Sequence, residues 1–281
     1  MISSKIAHSE FRAFKIVHDQ ICIGDSITER LRLTRGGMPL SKLPVRAIES
    51  AGLVGVHELV RTHSLMRRWG APLLLGIGGD QTQHLLWRLA NGETLLHGNG
   101  SITQKMMRRG PSVPLFSLLI GTNNLGWGMS PTETANGILG VAEHCLSHHS
   151  SARLLVTELL PRATLTPWPP DDLGGKSQQE VAMDLVRSTN SLVRRGLLHG
   201  GRFAAYRSSR RLAVADCGAH FQVAVQSWVA RAKNDKGKLE FDRNTSLLPD
   251  GLHPSTAGYQ LLLGCWERHL AALEAEKEEM R

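Results

Sequence analysis

The stretch Ile21-Cys22-Ile23-Gly24-Asp25-Ser26-Ile27-Thr28 decides how the rest of the chain is read. An apolar, β-branched run ends at a glycine, which is the pattern of a short buried strand, and an amphipathic segment begins directly after it. Gly24 permits a sharp turn, so Ser26 falls where the next helix starts. In an open α/β sheet that place is the crevice at the carboxyl ends of the strands, where ligands bind. The unpaired amides of a helix start can also help hold a developing oxyanion. Ser26 is therefore a candidate nucleophile. Gly-Asp-Ser is equally a turn and N-cap sequence, and taken alone the capping role is the commoner one.

Downstream, strands and helices alternate. A helix is expected from Ile27 to Leu33, stopped by Gly36-Gly37-Met38-Pro39, with helical spacing again from Val54 to Trp69. A second apolar strand in Pro72-Leu-Leu-Leu-Gly-Ile-Gly-Gly-Asp80 runs into a glycine turn. Asp80 is placed to cap a helix over Gln81 to Ala90, with Leu85, Leu86 and Leu89 on one face. The turn is not a dinucleotide fingerprint, because Gln81 stands where a glycine or alanine is needed. Gly78 and Gly79 instead suit a turn that brings bare amides near a reacting oxygen. Val113 to Ile120 reads as a third strand ending in Gly121-Thr122-Asn123-Asn124, and Ser130-Pro131-Thr132-Glu133 as a capping box opening a helix to about Ser147. Arg153 to Leu160 is a fourth strand. Thr164 to Gly175 is a Pro-rich loop, and Ser177-x-x-Glu180 starts a helix to about Arg195. Leu212 to Ala215 is a short strand, and a long helix follows His253-Pro254. This alternation predicts a parallel sheet covered by helices on both faces, in one domain over residues 1–281.

The composition narrows the class. The 281 residues are 41% apolar, and 33 Lys and Arg against 25 Asp and Glu give a net charge of +8. The basic groups (Arg67-Arg68, Arg108-Arg109, Arg194-Arg195, Arg207 to Arg211, Lys233 to Lys238) are dispersed and lack interleaved aromatics, so solvated surface is expected rather than a nucleic-acid interface. No window approaches the ~18 apolar residues needed to span a membrane, and no apolar signal core opens the chain. The four cysteines, Cys22, Cys145, Cys217 and Cys265, are far apart and form no Cys-x-x-Cys pair. That pattern points to a reducing compartment and a cytoplasmic protein. His144 and His148 have metal-ligand spacing on a helix but no evident third ligand, so no metal is expected there, and Trp87 and Trp266 are placed in the core.

The last informative stretch is Leu248-Pro249-Asp250-Gly251-Leu252-His253-Pro254. Asp and His three residues apart can point the same way. A serine hydroxyl is a weak nucleophile at neutral pH and needs a base; histidine suits that task, and a carboxylate fixes its tautomer. Alone, Asp-x-x-His is as often a loop cap as a site.

Taken in order, Gly24-Asp25-Ser26, Gly76-Ile77-Gly78-Gly79-Asp80, Gly121-Thr122-Asn123-Asn124 and Asp250-Gly251-Leu252-His253 resemble the four blocks of the GDSL or SGNH hydrolases. The likeness is greatest to the acetylhydrolase group of that family, the catalytic subunits of intracellular platelet-activating factor acetylhydrolase. It rests on Gly76 to Leu89, Asn91-Gly92-Glu93, Gly121 to Asn124 and Leu159-Leu160-Pro161-Arg162. The resemblance implies a flavodoxin-like sandwich of about five parallel strands, with Ser26 as nucleophile, His253 as general base and Asp250 orienting it. It implies oxyanion donors from the Ser26 and Gly79 amides and the Asn123 side chain, and an acyl pocket walled by Ile27, Thr122 and Leu252. The expected activity is hydrolysis of short acyl esters, acetyl among them, through an acyl-enzyme, with no cofactor, a small or lipid-like substrate and scope for a homodimer. The alternative is a catalytically silent binding or partner subunit of the same fold. The chain departs from the family in Leu74, where a polar Asn is usual, and in longer stretches at 94–112 and 217–247, expected as insertions. Gly-x-Ser-x-Gly is absent, which separates it from the α/β-hydrolases.

Overall fold

The strand that ends just before Ser26 shows how the core is divided. In β1 (Gln20–Gly24) every residue is buried, yet the side chains alternate between two cores, as a pleated strand requires. Cys22 joins the core with Ile27, Leu31 and Tyr259, while Ile21 and Ile23 join the other with Leu85, Ile138 and Val193. Both faces of the sheet are thus apolar, which explains why its strands read as continuous hydrophobic runs rather than alternating ones.

The computed structural model describes residues 20–70, 72–91, 114–148, 150–165, 174–221 and 247–274. The helices there are α1 (Ser26–Leu31), α2 (Val45–Ser50), α3 (Val56–Thr62), α4 (Ser64–Trp69), α5 (Thr82–Asn91), α6 (Thr122–Gly126), α7 (Pro131–His148), α8 (Gln178–Leu198), α9 (Ala204–Ser208) and α10 (Thr256–Glu274). A hairpin of β2 (Thr34–Arg35) and β3 (Met38–Pro39) follows α1. The main sheet contains β1, β4 (Leu73–Gly76), β5 (Leu115–Leu119), β6 (Arg153–Thr157) and β7 (Leu212–Ala215). Its order is β4-β1-β5-β6-β7 and all its pairings are parallel. The sheet reverses winding between β1 and β5, and a doubly wound sheet opens its ligand crevice at that switch point. Ser26 follows β1 there, and Asn123 follows β5.

The fold is the α/β three-layer arrangement expected, with particular differences. The helix expected over 54–69 is two helices, because His63 breaks the run at φ −58°, ψ 133° and caps α4 by accepting from Leu65 N. Asp80 does not cap α5. Its carboxylate is taken by Arg88, 2.8 Å from Nε, and the opening amides of α5 find other acceptors: Gln81 N donates to His84 Nδ1 and Thr82 N to Asn124 Oδ1. Trp87 is 66% exposed rather than core, since Leu85 and Leu89 face inward on the other side of α5, whereas Trp266 is buried. The capping boxes at Ser130/Glu133 and Ser177/Glu180 both form.

Cys217 and Cys265 are joined in a disulfide, with their Cα atoms 5.7 Å apart. This corrects the reading of four free cysteines. Spacing along the chain carries no information about a pair 48 residues apart that meets only where α10 packs against the end of β7. The cysteines therefore no longer argue for a reducing compartment. No described helix is long and apolar enough to cross a membrane. Of the expected insertions, residues 94–112 and 222–246 lie outside the described residues, as do Arg108-Arg109 and Lys233 to Lys238.

Candidate active site

Asp25 determines what Ser26 is free to do. Asp25 is the N-cap of α1, and its Oδ1 accepts from Ile27 N at 2.9 Å. With the cap supplied by the aspartate, the serine hydroxyl is available for another partner. Ser26 Oγ lies 2.8 Å from His253 Nε2, across 227 residues of sequence. The capping role and the candidate nucleophile thus fall on adjacent residues.

Asp250 divides its two oxygens in a comparable way. Oδ1 closes the turn, accepting from Leu252 N at 3.1 Å and His253 N at 2.7 Å, while Oδ2 lies 2.7 Å from His253 Nδ1. The loop is anchored on both sides: Ala163 N donates to Gly251 O, Thr256 N to Gly52 O, and Thr256 Oγ1 to Val54 O. Burial alone would raise the Asp250 carboxyl; the hydrogen bond and charge of His253, its backbone amide and Arg30 together hold it well below the usual carboxylate range. Burial pushes the His253 imidazole below its ordinary value, Asp250 opposes this, and Arg30 and Arg35 add to it. At neutral pH the ring is therefore neutral, the form that can accept a proton.

The glycine turn lies against Ser26. A Cβ added to Gly78 would stand 3.8 Å from Ser26 Cβ and 2.8 Å from Glu29 Oε2. At Gly76 the approach is closer: a Cβ would lie 2.3 Å from Glu29 N, so only glycine lets α1 pack on the end of β4. Gly79 follows in the left-handed region at φ +86°. Asn123 Nδ2 donates to Asp80 O at 2.8 Å, which ties the residue after β5 to the end of the glycine turn. An amide nitrogen has a second hydrogen, so this bond uses only one of the two Asn123 donors. Asn124, fully buried, accepts from Thr82 N and donates to Thr82 Oγ1.

The three residues expected around an acyl group are placed differently from one another. Ile27 is buried in the core, Thr122 is buried with its Oγ1 3.2 Å from Arg162 Nη1, and Leu252 is half-buried beside His253. His144 and His148 stack with ring centroids 3.9 Å apart on α7; among the described residues no group of three His, Cys, Asp or Glu could hold a metal ion. Sequence reading missed Glu29, Arg30, Arg162 and Asn124. The first three are charged residues buried to 4% exposure or less, and charged residues are read as surface by default. The available signals were position, since Glu29 and Arg30 lie one helical turn after Ser26, and the motif blocks that contain Asn124 and Arg162.

Beneath the site Asp25 is fully buried, and its Oδ2 has no hydrogen-bond partner among the described residues. Burial pushes its carboxyl up to about 7, with Asp80 adding to the rise and the Ile27 amide and Arg162 opposing it. A carboxyl raised on folding binds its proton more tightly in the folded chain. Its contribution to stability is then complete below the unfolded value near ~3.9 and is lost as pH rises through about 7, at ~1.4 kcal/mol per pH unit. Asp25→Asn removes this slope. Urea unfolding at pH 4, 5.5 and 7 should show wild type losing stability relative to the variant as pH rises; a constant difference would assign Asp25 an ordinary carboxylate.

Comparison with known proteins places the chain among hydrolases. Residues 22–261 match the model of the GDSL-like Lipase/Acylhydrolase family. Platelet-activating factor acetylhydrolase IB subunit alpha1 of Pongo abelii is 34% identical over 134 residues, covering 47% of this chain and 48% of that protein. Subunit alpha2 of Homo sapiens is 29% identical over 136 residues, covering 47% and 52%. These matches span about half the length of the curated relatives. Among solved structures, a GDSL-like lipase from Bacteroides thetaiotaomicron is similar at 18% identity and a TM-score of 0.45, over 91% of this chain and 87% of that one.

Proposed function

The chain belongs to the GDSL-like lipase/acylhydrolase family, and from that premise we propose that it is a serine esterase that hydrolyses short acyl esters through an acyl-enzyme on Ser26. The observation that carries this reading is the continuous chain Ser26 Oγ–His253 Nε2 at 2.8 Å and His253 Nδ1–Asp250 Oδ2 at 2.7 Å.

As Ser26 Oγ attacks the ester carbonyl, its proton passes to His253 Nε2 and the carbonyl π electrons move onto oxygen. Asp250 stabilises the imidazolium and keeps Nε2 directed at the serine. The oxyanion is held by the remaining Asn123 N–H and the Ser26 and Gly79 amides, donors set in place before the reaction. Collapse breaks the bond to the alkoxide, which takes the proton from His253 and leaves as the alcohol. A water then gives its proton to His253 and attacks the acyl carbon. The second collapse releases the carboxylic acid and returns the proton to Ser26.

The acyl side is proposed to be short. Ile27 and Thr122 are held by the core and by Arg162, so neither can give way to a long chain. An added methylene gains at most ~0.8 kcal/mol on burial, and forcing it into filled space costs about 1–3 kcal/mol. Among p-nitrophenyl acetate, butyrate and octanoate, kcat/KM should be highest for acetate. Peptide mass mapping after rapid quench and digestion should find one acyl group on the peptide containing Ser26. Octanoate as the best substrate would overturn the short-acyl assignment, and absence of hydrolysis of all three would overturn the esterase reading itself.

A further inference from the structure

Arg30 lies one turn after Ser26 on α1 and is only 3% exposed. Its Nη2 is 3.8 Å from Asp250 Oδ2, the same oxygen that takes the His253 ring. Among the described residues its Nε and Nη1 have no hydrogen-bond partner. Burying a guanidinium with so little compensation is costly, and replacing such a group with an apolar one of similar volume is often neutral or stabilising. Packing therefore does not account for its charge. The neighbouring Glu29 favours its charge but forms no ion pair with it among the described residues, its Oε1 accepting instead from Gly37 N of the β2–β3 hairpin.

The groups around the pair come from several elements. Arg30 and Glu29 are on α1, Arg35 is on β2, Asp250 is on the His253 loop, and Tyr259 is on α10 with its hydroxyl donating to Ile27 O. Asp250 is the anion that Arg30 meets at ion-pair distance. Asp250 Oδ1 is taken by the Leu252 and His253 amides, so Oδ2 is the oxygen that the imidazole and Arg30 share.

We propose that Arg30 is a positioning residue for the Asp250–His253 pair, its buried guanidinium holding the Asp250 oxygen that meets the imidazole and keeping the His253 ring free of a proton until Ser26 supplies one. The inference rests on the esterase reading for its consequence, but the electrostatic coupling exists whether or not an ester is turned over. A positive charge near the imidazole disfavours the imidazolium, so removing it raises the pH at which His253 protonates. Arg30→Met and Arg30→Gln remove the charge at similar length, and Arg30→Lys keeps it.

The measurement is the proton NMR titration of the His253 ring in the full chain, its signal identified by its loss in His253→Asn. The midpoint should rise by roughly half to one pH unit in the Met and Gln variants and stay near wild type in the Lys variant. The acid limb of kcat/KM for p-nitrophenyl acetate should move by the same amount, on top of a fall in plateau rate. Two uncharged variants guard against one failing to fold. An unmoved His253 midpoint in the uncharged variants, with activity lowered equally at every pH, would overturn the assignment and leave Arg30 a packing residue. A wild type that titrates as described but hydrolyses no ester would overturn the proposed function and leave the role of Arg30 standing.

Discussion

Ser26→Ala is expected to lower kcat/KM for p-nitrophenyl acetate by roughly 10⁴- to 10⁶-fold, with the fold intact. The alanine removes the proposed nucleophile and the 2.8 Å partner of His253 Nε2 together. It disturbs little else, since the cap of α1 belongs to Asp25 and the packing of α1 to Ile27 and Leu31. His253→Ala should cost a comparable amount, because a serine without its base is scarcely ionised at neutral pH. The informative variant is the double substitution. If the two residues act as one device, removing both costs about as much as removing either. Costs that add in the double variant would mean two independent contributions, and a Ser26→Ala protein within tenfold of wild type would place the nucleophile elsewhere. Circular dichroism and the urea midpoint, unchanged in both variants, separate loss of chemistry from loss of structure.

The same residues show which features the sequence made legible. β1 was readable because a strand buried on both faces must be a short apolar run, and Gly24-Asp25-Ser26 marks its end. The Asp250–His253 loop was readable because three residues is a spacing a single turn can fold. What escaped were features decided by contacts between distant segments. Asp80 has the sequence of an N-cap, yet Arg88 two turns away on α5 captures its carboxylate and Asn124 supplies the cap from another element. Glu29 and Arg30 are charged and drew no notice in the sequence, but the β2–β3 hairpin and the His253 loop contact them, and both are buried. Residues 34 to 70 lack strong periodicity because their elements are short, six or seven residues each in α2, α3 and α4. The Cys217–Cys265 bond illustrates the same limit, since pairing follows from where α10 lands and not from spacing.

Asn123→Ala is the second large effect expected, and the position of the amide makes it a sharper test than the loss of a generic donor. Loss of one oxyanion donor costs about 2.7–4 kcal/mol in the transition state, which slows turnover by roughly 10²–10³-fold. Because that donor acts on charge that develops only as the tetrahedral intermediate forms, KM should change little. The structure adds a second consequence. Asn123 Nδ2 also donates to Asp80 O at 2.8 Å, closing the glycine turn that contains Gly79. Removing the side chain therefore releases the turn as well as the donor, and the two losses must be distinguished. Asp80 keeps its ion pair with Arg88, 2.6 Å from Nη2, and Asn124 keeps its bonds to Thr82, so α5 stays anchored without Asn123. Displacement of the turn should then be local. Its cost should appear as an increased KM or a lowered urea midpoint, whereas the lost donor appears in kcat alone. Asn123→Asp sharpens the comparison: a carboxylate cannot donate to Asp80 O and would repel the oxyanion, so it should turn over no faster than the alanine variant. Turnover slowed by about 10²-fold or more with a steady KM assigns Asn123 to the transition state. Near-normal turnover in the alanine variant would remove it from the oxyanion hole and leave it as the clasp of the glycine turn.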